Sequence, residues 1–104
     1  MLRRLARVIP IAAPSAFLWE GLRSWLAGRK RRAMRLWQRT LALAESADAS
    51  YEGARAHFEI GRHLSPDDPE RSRHLRVALE AFERLGCVTN AATARAALAA
   101  PEAT

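Results

Sequence analysis

Gly21-Leu22-Arg23-Ser24-Trp25-Leu26-Ala27-Gly28, followed by Arg29-Lys30-Arg31-Arg32-Ala33-Met34-Arg35-Leu36-Trp37-Gln38-Arg39-Thr40-Leu41, carries the spacing G-x6-G-x4-A-x3-W-x3-L. Small residues are needed where two antiparallel helices approach closely, and bulky ones fill the gaps beside them. Gly21 and Ala33 read as the small contacts of such a pair, with Phe17, Trp37 and Leu41 as the fillers. Gly28 falls just past the first helix, where a left-handed backbone costs glycine almost nothing and lets the chain reverse. The stretch predicts a helical hairpin, which points to a binding scaffold and not to a reaction.

A second, partial copy follows. Ile60-Gly61 repeats the close-contact glycine 40 residues on, and Ala78-x3-Phe82 repeats Ala33-x3-Trp37 at 45 residues, with Leu85 and Gly86 closing that helix. The turn glycine is replaced by Ser65-Pro66-Asp67-Asp68-Pro69-Glu70-Arg71, so the second unit is expected to have a longer middle loop. This pattern resembles the tetratricopeptide repeat, with its glycine in the first helix, glycine at the turn and Ala-x3-aromatic in the second helix. More narrowly, Leu36-Trp37-Gln38-Arg39, Tyr51-Glu52-Gly53-Ala54, His57 to Leu64 and Phe82 to Gly86 look like the carboxy-terminal repeats of large bacterial signalling proteins. In those a cyclase, kinase or ATPase precedes a helical-repeat sensor. The resemblance implies a cytoplasmic repeat segment whose hairpins stack as a short solenoid, detached from any catalytic domain.

Composition agrees with an all-α class. At 104 residues the chain has room for one module with a modest core. Ala, Leu and Arg dominate, and no window alternates apolar and polar residues with β-branched enrichment. Residues 1–14 read as a basic segment, the end of a preceding repeat helix, with a short amphipathic piece over Leu2 to Val8. Residues 15–104 read as the helical-repeat domain, with hairpins over 15–47 and 50–86 and a capping helix over 90–99. Ser15 is expected to cap a helix to Ala27, Arg29 to Ala47 forms its partner, and Ser50 caps Tyr51 to Leu64. Asp68-Pro69-Glu70 is the clearest start signal, because Asp accepts from open amides, Pro suits the first helical position and Glu favours the positive end of the dipole. Thr89 is expected to cap the last piece, ended by Pro101.

Charge is uneven. Residues 1–40 hold ten Arg and Lys against one acid, Glu20, while residues 41–104 hold seven against ten. Arg29, Lys30, Arg31, Arg32, Arg35 and Arg39 form a basic stripe, a candidate anion-binding surface for nucleic acid, anionic membrane or an acidic protein. The alternative is a solvated face in an arginine-rich chain, given sixteen Arg to one Lys. Met1 to Arg7 followed by an apolar run resembles a targeting peptide, but Pro10 and Pro14 break the run and nothing reaches the length of a bilayer span.

No catalytic constellation emerges. Gly28-Arg29-Lys30 lacks the rest of a phosphate loop, and Cys87 is the only cysteine, which rules out a disulfide or thiolate cluster within one chain. His57, His63 and His74 are not paired at i, i+4 with one another or with Cys87, so no metal or other cofactor is expected. His57 and His74 read as half-buried, His63 as a last-turn residue near open carbonyls, and Glu59 as a surface pair with Arg55 and Arg62. The resemblance implies a groove lined by the first helices of successive hairpins, whose places here carry Leu18, Leu22, Trp25 and Leu26 in one unit and Arg55, Phe58 and Arg62 in the other. An apolar wall invites another helix, including one from a second copy of the chain; the arginines invite acidic side chains. The chain is expected to be a non-enzymatic protein interaction scaffold, with nucleic-acid or membrane-surface binding through the basic stripe as the alternative.

Overall fold

The computed structural model describes residues 13–99. The basic segment 1–14, the short helix and the targeting motif assigned to it, and Pro101 fall outside these residues, save for Ala13 and Pro14. Five helices follow in order: α1 (Ala13–Leu26), α2 (Lys30–Ala47), α3 (Ser50–His63), α4 (Pro69–Leu85) and α5 (Val88–Ala99). The described residues are all-helical, with no strand. They divide into two compact units, one up to Gly53 and the other from Ala54, the division falling within α3.

Helix ends follow backbone chemistry. After α1, Arg29 N–H donates to Ser24 O (2.8 Å) and Gly28 N–H to Trp25 O (3.0 Å), with Gly28 at φ +84°. These are the two bonds of a Schellman stop. The same pair recurs after α4, from Cys87 to Phe82 O (2.9 Å) and from Gly86 to Glu83 O (3.1 Å), with Gly86 at φ +76°. At the start of α4, Asp68 Oδ1 accepts from Glu70 N–H at 2.9 Å and Pro69 takes the first helical position, as expected. Three starts differ. Ser15 lies inside the first turn of α1, behind Pro14, which loses nothing there because first-turn amides have no intrahelical partner. Ser50 is the first residue of α3, and Ala49 O accepts from Gly53 N–H. Thr89 lies within α5, whose first bond runs from Ala91 N–H to Cys87 O at 2.9 Å.

In the first unit, α1 and α2 pack antiparallel around Trp37, which is fully buried with Ala33. A Cβ on Gly21 would fall onto the indole, 2.7 Å from Cδ1 and 2.9 Å from Cε2, so the side-chain-free position is what admits the ring. The indole Nε1–H donates to Leu18 O at 3.2 Å. The buried hydroxyls here are satisfied as well: Thr40 donates to Leu36 O (2.9 Å) and Ser24 Oγ accepts from Arg32 Nε (3.1 Å).

The second unit centres on Phe58, Leu75, Ala78 and Phe82, closed by Ala91 and Ala94 of α5. The glycine contact is in a different register here. A Cβ on Gly61 would meet Leu75 Cγ (2.9 Å) and Arg71 O (3.2 Å), two helical turns before Phe82, the residue that corresponds to Trp37 by spacing. The longer 64–68 connection is therefore not a simple insertion: it resets α4 against α3.

Candidate functional site: the basic tip of the first hairpin

The six residues of the basic stripe are all exposed, but they do not converge. At 100° per residue, Arg31 and Arg35 lie opposite the buried Ala33–Trp37–Ala44 side of α2, while Arg32 and Arg39 lie on one flank and Lys30 on the other. Arg32 reaches α1, with Nη2 3.6 Å from Glu20 Oε2. Arg39 lies over the Phe17 ring at 5.4 Å, and Lys30 Nζ over the Trp25 ring at 5.2 Å. Glu20 also pairs with Arg23 at 2.6 Å, and this bond, with the neighbouring positive charges, holds its carboxyl below the ordinary value.

At the turn the cations do come together. Leu26, Ala27, Gly28, Arg29, Lys30, Arg31 and Arg32 are seven consecutive exposed residues. Arg29 occupies the N-cap of α2 without a side-chain bond to the helix, and no acid sits in the first turn. A run of positive charge there opposes the helix dipole. An anionic partner at this tip would relieve that repulsion, whereas none of the helix's own side chains does.

The groove assignment needs correction. Leu18 is only 2% exposed, on the side of α1 that holds Trp37, and Phe58 is only 7% exposed, inside the core of the second unit. Both are packing residues because the face assigned to a partner is the face that meets the neighbouring helix. Leu22 is half-buried, and Trp25 stacks on Trp37 with centroids 6.0 Å apart. Arg62 remains accessible, over the Phe58 ring at 5.4 Å. Arg55 is largely covered and tied to Glu59 at 3.3 Å.

Glu59 is not the surface residue expected. It is 2% exposed, with Arg55 at 3.3 Å, His63 Nδ1 at 3.6 Å and Arg62 Nε at 3.8 Å. His63 behaves as the spacing indicates, its ring donating to Glu59 O at 2.8 Å while burial lowers its pKa.

A feature absent from the sequence reading is the pair His57–His74, bridged Nδ1 to Nδ1 at 2.9 Å. Arg73 Nη2 donates to His74 Nε2 at 3.3 Å, which leaves the His74 proton on Nδ1 to be donated to His57. One continuous set of tautomers thus satisfies both nitrogens of His74 and the Nδ1 of His57. Burial first, then His74 and Arg73, push the His57 pKa down to about 4, and burial with Arg73 lowers that of His74. Two nitrogens facing each other across one proton are already committed. Among the described residues no group of three or more His, Cys, Asp or Glu is placed to hold a metal ion.

A groove of about 220 Å³ lies at the α4–α5 turn, lined by Phe82, Gly86, Cys87, Val88, Ala91 and Arg95. It is smaller than usual ligand pockets and its charged rim is spent on the Arg95–Glu83 pair at 2.7 Å. No described helix is long and apolar enough to cross a membrane. No protein-family model, no curated protein and no solved structure matches the chain.

Proposed function

We propose that this chain is a non-enzymatic interaction scaffold of helical hairpins, and that its contact surface is the basic tip and outer face of α1–α2. The tetratricopeptide-like spacing of Gly21, Gly28, Ala33 and Trp37 supports the scaffold, and the chain reads as a carboxy-terminal repeat segment of a bacterial signalling protein. The single observation that carries the surface is the exposed run from Leu26 to Arg32, in which four successive cations meet no acid in the first turn of α2. Seven cations and no acid occupy residues 21–44, so positive charge dominates the field around the tip.

Retention of the whole chain on immobilised heparin, followed against salt, tests this. Binding should weaken steeply as salt rises, because Arg29, Lys30, Arg31 and Arg35 are exposed and screened. Replacing these four by Gln should abolish retention while leaving helicity unchanged. A quadruple variant that elutes with the parent would overturn the surface assignment.

A further inference from the structure

We propose that the α1–α2 tip docks on an anionic lipid surface, with Leu26 entering the headgroup boundary and Arg29, Lys30 and Arg31 seated on lipid phosphates. This rests on the basic-surface reading above and names its partner.

Leu26 is 84% exposed at the very end of α1, and Ala27 and Gly28 beyond it are exposed too. Trp19, 51% exposed, lies two turns back on the same flank, and half-buried Leu22 falls between them. The order along the chain is thus apolar tip, side-chain-free turn, then a block of four cations. On a nucleic-acid backbone the cations would be matched but Leu26 would stay in water. At a lipid surface both are matched: buried apolar area adds to attraction for anionic headgroups, and an indole suits the interfacial zone.

The aromatic geometry argues the same way. A base-stacking platform needs an open ring face, yet Trp25 has Trp37 stacked on it and Lys30 Nζ above it. Among the described residues of the first unit, only Glu20 pairs with cations near the tip, and it is held by Arg23 and Arg32. The docking proposed is peripheral, and no described helix is long and apolar enough to cross a membrane.

The test is co-sedimentation of the whole chain with phosphatidylcholine vesicles, with and without phosphatidylserine, beside heparin retention. Expected are binding only where phosphatidylserine is present and a loss of about tenfold in vesicle affinity for Leu26→Ser, with heparin retention unchanged. Leu26 is 84% exposed, so this variant should keep the parental helicity. Heparin retention without vesicle binding, or Leu26→Ser binding vesicles as tightly as the parent, would overturn the lipid assignment and leave the basic surface standing. Binding to neither would overturn both. Tighter binding to duplex DNA than to phosphatidylserine vesicles, unaffected by Leu26→Ser, would transfer the surface to nucleic acid and also overturn the proposal.

Discussion

Gly21 shows how a single missing methyl group sets a helix pair. The Trp37 ring occupies the volume a Cβ would need, and its N–H is spent on the Leu18 carbonyl, so neither the ring nor the backbone can move aside cheaply. Gly21→Ala should therefore destabilise the chain by about 2–3 kcal/mol, read as a lowered thermal midpoint with helical content retained. This residue was legible in sequence because the constraint is steric and local. His57 and His74 were not, since they stand 17 positions apart across a connection whose register no spacing fixes. Their consequence is a pH dependence of known sign. Both imidazoles titrate below the ordinary 6.5, His57 at about 4, so the unfolded chain takes up protons first as pH falls. Stability from the pair is complete above about 6.5 and is lost as pH drops through about 4. Arg73 adds positive charge beside the pair while Asp68 and Glu70 partly oppose it at His74. His57→Gln should flatten the fall of the thermal midpoint across that interval; an unchanged slope would show that the pair does not set it.

At the scale of the element, the stops of α1 and α4 were readable from glycines, and the start of α4 from Asp68-Pro69-Glu70. The stop of α2 at Ala47 was also placed, but not its geometry: Asp48 adopts the left-handed conformation, φ +57°, where no glycine announces it. Ala49 N–H still closes on Ala44 O at 2.8 Å. A short polar side chain tolerates this geometry better than most, but it remains costlier than glycine. Asp48→Gly should raise stability by about 0.5–1 kcal/mol, measured by denaturant midpoint, unlike the usual penalty for glycine inside a helix. The misassigned groove has a related origin. Periodicity shows that Leu18, Leu22 and Trp25 share a side of α1, and Phe58 and Arg62 a side of α3, but not which side meets a neighbouring helix. α3 adds a further difficulty: Ala54, Ala56, Phe58, Glu59, Ile60 and Gly61 are all buried, which no single apolar stripe describes.

Over the whole molecule, helical class was plain in composition, whereas the likeness between the two units stops at their glycine contacts, Gly21 on Trp37 and Gly61 on Leu75. Charge separates them further, the excess of Arg and Lys lying in residues 1–40 and the excess of acids in 41–104. Partner binding that depends on the first group should be the salt-sensitive property of the chain, while the thermal midpoint should move far less between low and high salt. The division of residue types has another result. Trp19, Trp25 and Trp37, all the tryptophans of the chain, belong to the first unit, and its one cysteine, Cys87, half-covered at the mouth of α5, belongs to the second. Indole emission consequently reports the opening of one unit and the rate of thiol labelling the opening of the other. The unmodified protein carries two orthogonal built-in reporters, and comparing their midpoints measures directly how cooperatively its halves unfold.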